Sequence, residues 1–202
     1  MNMLKLSVSS SNSKMGNIKS ISMPRVVTCA PDVPCAKTCY VRHFDWRGVV
    51  RDAYENNFNL WLTDPDGFEL QATAAAYGSF YFRWHVSGDI VSEAYLTMMC
   101  RVAEKLPRTQ FLAFTKQYDL VNQYLEAGGT IPNNLHILFS EWPSYNMNNP
   151  YNLPVAYVHF KSGLCDAPND AKECSGKCER CAYMGENCWT LERGQSVVLK
   201  EH

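Results

Sequence analysis

Between residues 80 and 160, short apolar segments alternate with longer segments whose apolar residues recur at steps of three and four. Short runs rich in aromatic and β-branched residues are typical of strands, and the longer repeat is typical of amphipathic helices. We predict strands at 80–86, 110–114, 135–139 and 155–160, and helices at 92–106 and 118–127. Strands that alternate with helices favour a parallel sheet with helices packed outside it. We therefore expect an α/β fold, either a partial (β/α) barrel or an open, mostly parallel sheet.

Two further helices are predicted before this alternation. Apolar residues recur at helical steps from 45 to 62, with Asp45 as the expected cap. The segment Asp64-Pro65-Asp66-Gly67 is expected to stop that helix. A second helix is expected from Phe68 to Tyr77, ended by Gly78.

Changes in amino-acid composition along the chain divide it into three predicted regions. Residues 1–28 form an extended lead-in, in which Pro24 argues against a central strand. Residues 29–162 form the α/β core. Residues 163–202 form a cysteine-rich metal-binding extension with too few apolar residues for a core of its own, and 195–200 is expected to return to the sheet as a final strand.

Composition excludes several classes of protein. Apolar residues make up 46% and charged residues 19% of the 202 residues, as in a globular protein, and the formal charge of −1 provides no global attraction to nucleic acid. The amino-terminal residues lack the apolar stretch of a signal peptide, and no apolar run reaches membrane-spanning length. We expect a cytoplasmic protein, in the host cell if it is encoded by a phage. Nine cysteines in a reducing compartment favour metal ligands over disulfides.

Three of these cysteines, Cys29, Cys35 and Cys39, lie in one short loop that also contains two prolines. A loop can turn three sulfurs toward one soft metal centre. Three thiolates leave one iron of a four-iron, four-sulfur (4Fe–4S) cluster free for a substrate or cofactor, whereas four thiolates close a site. The alternatives are a zinc site that only holds the loop together, and free thiols.

Five more cysteines follow residue 163, and they are Cys165, Cys174, Cys178, Cys181 and Cys188. Cys178 and Cys181 form a C-x2-C pair, which lets two adjacent sulfurs hold one metal. Spacing does not separate zinc from an iron–sulfur cluster, since both take four thiolates. The eight cysteines can make two four-thiolate sites, or one open site and one closed site. A pair of free redox thiols is the alternative, and Cys100 is expected to be a buried apolar residue within a helix.

Polar residues follow the predicted strands at their carboxyl ends, where ligands bind in parallel α/β proteins. The candidate catalytic residues are Asp89, Lys116 and His85, and the candidate cofactor-binding residues are Ser87, Gly88, Asp89, Tyr40 and Glu141. Gly88 lets a backbone approach a ligand closely, and Asp89 is suited to bind an ammonium or hydroxyl group. Each has a plainer alternative: Ser87 or Asp89 caps the next helix, His85 is a core histidine, and Lys116 is a solvated charge.

Three stretches of the chain resemble the gene product 88 family of phage proteins. They are residues 12–16 with the 29–39 loop, the block Phe82 to Asp89 with 111–116, and the cysteine-rich tail. The resemblance implies a phage or prophage origin and assigns no reaction.

The chain also distantly resembles radical S-adenosylmethionine enzymes. These place a C-x3-C-x2-C loop with an adjacent aromatic residue before the strands of a partial barrel; here the spacing is C-x5-C-x3-C and Tyr40 follows. Their glycine-rich turn with an acidic end holds the methionine amino group, and Ser87-Gly88-Asp89 is similar in kind. The resemblance implies a 4Fe–4S cluster, S-adenosylmethionine as cofactor and a second cluster in the extension.

Two functions follow from these observations. The first is an iron–sulfur enzyme of the radical S-adenosylmethionine kind, with an unidentified substrate. The second is a protein stapled by zinc or closed iron–sulfur sites that binds nucleic acid or a host protein. A basic and aromatic patch supports the second, and its residues are Lys37, Arg42, His43, Arg47 and Arg51 with Tyr40, Phe44 and Trp46. The solvated face of a helix is the plainer reading of this patch.

Overall fold

A computed structural model describes residues 4–44, 47–185 and 188–201 of the chain. These residues form a seven-stranded sheet in which neighbouring strands are parallel throughout. The strands are β1 (Lys19–Ile21), β2 (Tyr81–Trp84), β3 (Gln110–Thr115), β4 (Leu135–Ser140), β5 (Val155–His159), β6 (Lys172–Glu173) and β7 (Ser196–Lys200). Their order is β1-β2-β3-β4-β5-β7-β6, so the sheet is open, with β1 and β6 at its edges. The predicted α/β class with an open parallel sheet is confirmed.

Helices precede or connect most of these strands. The α-helices are α1 (Arg25–Thr28), α2 (Gly48–Thr63), α3 (Pro65–Ala76), α4 (Glu93–Lys105), α5 (Tyr118–Glu126) and α6 (Cys178–Tyr183). Two short 3-10 helices span Pro34–Ala36 and Tyr40–Phe44. In the ranges that the structure describes, no helix combines the length and the apolar character needed to cross a membrane.

The start of α3 differs from the prediction for a clear local reason. The segment Asp64-Pro65-Asp66-Gly67 ends α2 as expected, but it also begins α3 three residues earlier than predicted. The Asp64 carboxylate accepts a hydrogen bond from the Gly67 amide at 2.9 Å, and Pro65 takes the first helical position, where its missing N–H has no cost. The predicted cap of α2, Asp45, lies outside the described residues.

The amino-terminal region also contains more structure than an extended lead-in. Its residues form the edge strand β1, and the segment after Pro24 turns into the short helix α1. Pro24 therefore lies just beyond a strand, in keeping with its inability to donate to a strand ladder.

The two faces of the sheet are covered differently. Alternate residues of β2 and β3, such as Phe82 and Phe111, pack with the apolar faces of α2 to α5 in the larger core cluster. The intervening residues, such as Leu112 of β3 and Leu138 of β4, belong to a second cluster. That second cluster contains residues from the two ends of the chain, and they are Met15, Ile18, Ala182, Trp189, Leu191 and Val197. Helices α2 to α5 therefore cover one face, and the chain ends cover the other.

The cysteine-rich extension is anchored to this second face. Trp189 is 1% exposed, and its indole N–H donates to the carbonyl of Phe82 at 3.3 Å. The hydroxyl of Tyr81 donates to the carbonyl of Ala182 at 2.8 Å, and the Cys178 amide donates to the carbonyl of Lys14 at 2.8 Å. The extension thus shares the core of the sheet.

A charged network joins α3 to α4. Both Glu69 carboxylate oxygens accept hydrogen bonds, one from Arg101 at 2.5 Å and the other from Lys105 at 2.6 Å. The Glu69 side chain is 9% exposed, whereas those of Arg101 and Lys105 are 47% and 55% exposed. Hydrogen bonds from Arg101, and secondarily from Lys105, lower the pKa of Glu69 below its ordinary value of 4.5.

The substitution Glu69→Gln is expected to lower the free energy of unfolding at pH 7 by about 1–2 kcal/mol, since its partners are half exposed to solvent. Because the pKa of Glu69 is depressed in the folded state, its contribution is fully present above pH 4.5 and is lost as the pH falls through the lowered pKa. Urea unfolding from pH 7 to pH 3 measures this, with the exposed residue Glu104 changed to Gln as the control. A difference from wild type that persists unchanged at pH 3 would contradict the assignment.

Candidate functional site

A cavity of about 700 Å³ lies on the sheet face that the chain ends cover, and it reaches the carboxyl ends of β2, β3 and β4. The residues that close it come from the loop between α1 and α2, from the ends of these strands and from the extension. Six cysteines line it, and they are Cys29, Cys35, Cys39, Cys174, Cys178 and Cys188. The fold therefore brings cysteines that are far apart in the sequence to one enclosed space.

The loop thiols, which are those of Cys29, Cys35 and Cys39, lie at the carboxyl-end side of this cavity. Burial, and to a smaller extent the nearby Asp89 carboxylate and the other two loop thiols, together raise the pKa of the Cys29 thiol to about 12. Burial also raises the pKa of Cys35, while the ammonium of Lys116 lowers it. As free groups, Cys29 and Cys35 are therefore protonated at pH 7, and such thiols are weak nucleophiles.

Asp89 connects two backbone segments, those that follow β2 and β3, at the carboxyl ends of these strands. Its carboxylate accepts hydrogen bonds from the amides of Ile90 at 2.7 Å and Lys116 at 2.8 Å, and the Thr115 side chain also contacts it. Burial raises the pKa of Asp89 to about 6, although these hydrogen bonds act to lower it, so the carboxylate is ionised at pH 7. The cap of α4 is instead Ser92, whose hydroxyl accepts from the Tyr95 amide at 3.2 Å.

Lys116 lines the same part of the cavity. Its ammonium donates to the Ser140 hydroxyl at 2.7 Å and lies 5.4 Å from the centre of the Trp142 ring. It also acts electrostatically on Cys29, Cys35 and Asp89. Lys116 is thus a cation of the site and not a charge in open solvent.

His85 is buried directly after β2 and has a positive φ of 58°. Its Nε2 lies 3.1 Å from the hydroxyl of Tyr95, and its Nδ1 has no hydrogen-bond partner in the described part of the chain. Burial lowers the pKa of His85 to about 3, so the imidazole is neutral at pH 7. It lines the cavity as a neutral hydrogen-bonding group.

Ser87 and Gly88 continue this lining, but Gly88 has a second role. The Ser87 hydroxyl is buried without a partner among the described residues. Gly88 has a φ of 77°, and a Cβ at this position would lie 2.6 Å from both the carbonyl oxygen of Met23 and the Oγ1 of Thr28. The close approach at Gly88 is therefore made by the chain that leads into the three-cysteine loop.

The remaining two candidates occupy different places. The Tyr40 hydroxyl donates to the carbonyl of Val86, so the ring forms part of the cavity wall. Glu141 lies beside the cavity, between the lining residues Ser140 and Trp142. Burial raises the pKa of Glu141, and the nearby Asp166 raises it further.

A second group, the tail thiols, consists of Cys174, Cys178, Cys181 and Cys188. Burial and the neighbouring thiols of Cys174, Cys178 and Cys181 raise the pKa of Cys188 to about 12, against the effect of Arg83. Cys165 is partly exposed and lies outside the lining of the cavity. The buried Cys100 lies within α4 as predicted.

The described ranges contain no group of three or more His, Cys, Asp or Glu side chains already arranged to hold a metal ion. The loop thiols share the cavity with three of the four tail thiols, and within each group the sulfurs would have to move closer together to coordinate a metal.

The predicted basic and aromatic patch does not form one free surface. Arg51 pairs with Asp52 at 3.1 Å and with Glu55 at 3.9 Å, and Arg42 donates to the carbonyl of Lys37 at 2.5 Å. Arg47 lines the cavity. Trp46 and the side chains of His43 and Phe44 lie outside what the structure describes.

Three residues of the site escaped the sequence reasoning. Arg83 is flanked by aromatic residues in β2, and only the alternation of side chains along a strand indicates that it faces away from the core of α2 to α5. Ser20 pairs with Arg83 across the β1–β2 ladder, in a strand of three residues that leaves almost no pattern. Trp189 lies among the charged residues and cysteines of the extension, where no apolar pattern indicates that it is buried.

The fold and the cavity define a class: an open parallel α/β protein with helices on one face and a cysteine-lined cavity on the other. The chain matches the sequence family described as gene product 88 over residues 3–158, and it belongs to that family. The match includes the loop thiols and ends before the tail thiols. No curated protein and no solved structure matches the chain. The resemblance to the gene product 88 family is confirmed, whereas the comparisons give no support to a radical S-adenosylmethionine relationship.

The substitution Gly88→Ala is expected to lower the free energy of unfolding by about 2–4 kcal/mol, since it combines an unfavourable φ with a collision against Met23 and Thr28. Gly78→Ala is the matched control, because Gly78 has a φ of 74° but open space around its Cα. That control should lose only about 1 kcal/mol. Equal losses in urea unfolding of the two variants would show that the approach at Gly88 is not tight.

Proposed function

We propose that the chain is an iron–sulfur enzyme that binds S-adenosylmethionine in the cavity at the carboxyl ends of β2, β3 and β4. The observation that carries the proposal is the meeting of the three loop thiols with Lys116 and Asp89 in one enclosed space. Ligands of parallel α/β proteins bind at this edge of the sheet. A cavity of about 700 Å³ is large enough for a molecule of that size.

The chemistry of the loop thiols favours a metal over free thiol chemistry. Because burial raises the pKa values of Cys29 and Cys35, neither is primed for nucleophilic or redox exchange. A bound metal deprotonates a thiol outright, whatever its free pKa. Partly buried neutral thiols beside a lysine ammonium are therefore better suited to coordination than to catalysis on their own.

The loop can change shape without the loss of a long helix or strand. Between α1 and α2 it contains only 3-10 helices of three and five residues. Preformed metal sites are uncommon in metal-free chains, because coordination and local folding occur together. We therefore propose that Cys29, Cys35 and Cys39 close around a 4Fe–4S cluster as it binds.

When bound, a three-thiolate cluster supplies an open iron position and one-electron chemistry. The Lys116 ammonium is placed to pair with the carboxylate of the ligand. The Asp89 carboxylate accepts three hydrogen bonds from the protein and has room for one more, from the ligand ammonium. Ser87 and His85 offer the ligand a hydroxyl and a neutral imidazole.

We place a second metal centre, iron–sulfur or zinc, at the tail thiols. Cys178 and Cys188 are both partly buried, and the pKa of each thiol responds to other members of the group. Cys165 is the fifth cysteine of the extension and is left out of this site. The second centre would hold the extension against the sheet, and iron–sulfur there could also carry electrons.

The alternative function, binding of nucleic acid or a host protein without catalysis, has less support. Arg51 is already paired with Asp52 and Glu55, and the Tyr40 hydroxyl is turned inward to the carbonyl of Val86. Because its ring is partly buried and forms part of the cavity wall, Tyr40 is poorly placed to stack on a base of a nucleic acid at the surface.

Anaerobically reconstituted protein is expected to be brown, to contain iron and acid-labile sulfide, and to change its electron paramagnetic resonance spectrum when S-adenosylmethionine is added. With dithionite as the one-electron donor, and with a hydrogen atom taken from the buffer or the protein, methionine and 5′-deoxyadenosine should be released. The triple variant Cys29→Ser/Cys35→Ser/Cys39→Ser should contain about four fewer iron atoms per chain and give no such response.

The control is Cys165→Ser, which changes a partly exposed cysteine outside the cavity and should behave as wild type. A colourless protein that contains only zinc would reject the iron–sulfur proposal. A fully loaded protein whose spectrum ignores S-adenosylmethionine would reject the ligand and leave the metal.

A further inference from the structure

Hydrogen-bonding groups without partners are concentrated in the cavity. The described part of the chain has six buried side-chain nitrogen or oxygen atoms that lack a partner. Four of them belong to residues that line the cavity, and they are the Ser20 hydroxyl, Arg83 Nε, His85 Nδ1 and the Ser87 hydroxyl. Leaving such a group buried and unsatisfied costs about 1–3 kcal/mol. Their concentration in one place indicates a polar ligand.

Arg83 is the charged member of this group. It acts electrostatically on Tyr40, which follows the loop cysteine Cys39, and on the tail cysteines Cys178 and Cys188, so it lies near both groups of cysteines. Ser20 lies beside it on β1, because the two residues are register partners and face the same side of the sheet. The guanidinium carbon lies 4.6 Å from the centre of the Phe114 ring, and Nη1 lies 3.7 Å from the sulfur of Met15.

Among the described residues, no ion pair joins the Arg83 guanidinium to a carboxylate. A partly buried arginine normally pairs with a carboxylate or phosphate.

The charges of the other residues that line the cavity also favour an anionic ligand. The chain has a formal charge of −1, yet the cavity is lined by six basic residues and two acidic ones. The basic residues are Lys14, Arg25, Arg47, Arg83, Lys116 and Lys200, and the acidic ones are Asp89 and Glu201. An enclosed site lined by one sign of charge attracts ligands of the other sign.

We propose that Arg83 and Ser20 form a binding site for the anionic group of a small-molecule substrate, either a carboxylate or a phosphate. The planar guanidinium and the hydroxyl donate to the anion, while Phe114 and Leu112 on the neighbouring strand provide an apolar surface for the rest of the molecule. His85 and Ser87 meet its further polar groups. The proposal rests on the cavity and its side chains, and it does not require iron or S-adenosylmethionine.

The substitution Arg83→Met tests this, because methionine keeps much of the volume and removes the charge. Thermal unfolding of the as-purified full chain is followed in HEPES buffer, with inorganic phosphate or acetate added at ionic strength matched with chloride. Wild type should show a saturable rise in melting temperature of about 2–4 °C with at least one of the two anions. R83M should show no such rise, and calorimetry should find at least a tenfold loss of affinity for that anion.

Arg83→Met should also melt no lower than wild type when phosphate and acetate are absent, since it removes a charge that lacks a partner. The matched control is Arg51→Met, which removes a charge from an exposed position of α2 outside the cavity and should keep the anion response. A stronger response to phosphate identifies a phosphate-bearing ligand, and a stronger response to acetate identifies a carboxylate.

Three results would overturn the proposal. Wild type fails to respond to either anion, or both anions stabilise wild type and R83M equally, as ions excluded from the protein surface do. In the third, R83M loses its bound metal and melts lower in every buffer, which makes the metal at the tail thiols the partner of Arg83. The metal content of wild type is a separate measurement, so failure of this site and failure of the iron–sulfur proposal are distinguishable.

Discussion

Helices α2 to α5 cover only one face of the parallel sheet, and this one-sided packing determines where everything else lies. A buried parallel sheet needs cover on both faces, so the apolar residues of the other face, such as Leu112 and Leu138, require a second layer. The two ends of the chain supply it, through Met15 and Trp189 among others. The same ends leave uncovered space toward the carboxyl ends of the strands, and that space becomes the cavity. The tail thiols reach the cavity because the extension is part of the core.

The loop thiols reach the cavity for a different reason, which is the close contact between the chain before Cys29 and the backbone at Gly88, after β2. The absence of a side chain at Gly88 lets Met23 and Thr28 approach the backbone there, immediately before Cys29. The Thr28 hydroxyl donates to the carbonyl of Pro24 at 2.7 Å and accepts from the Asp89 amide at 3.0 Å. The Asp89 carboxylate then binds the amide of Lys116 at the end of β3. One acidic residue thus sets the relative positions of the loop, the lysine and two strands.

The sequence was informative where segments are long and fully buried. Strands β3 and β4 are six residues long and contain the apolar runs Phe111 to Phe114 and Ile137 to Phe139, and α4 has a strong helical repeat, so all three were predicted within a residue or two. Strands β1 and β6 have three and two residues, too few for any period to show. The meeting of the two groups of thiols depends on which sheet face the extension covers, and that is decided by long-range packing of Trp189 on β2. The spacing of residues along the sequence does not predict such a contact.

The cavity also explains why the protein keeps buried polar groups that lack hydrogen-bond partners and therefore lower its stability. Each unsatisfied hydroxyl or guanidinium nitrogen removes a measurable part of a stability that totals only about 5–15 kcal/mol. Arg83 and Ser20 lie on the same sheet face as the apolar residues Leu112 and Phe114, so apolar replacements would fit the surroundings better. A bound group removes this penalty because it supplies the missing partners. The cavity is lined by neutral thiols, by the cations Arg83 and Lys116 and by hydrogen-bonding groups without partners, and together these favour a negatively charged occupant, whether a metal–thiolate centre or an acid.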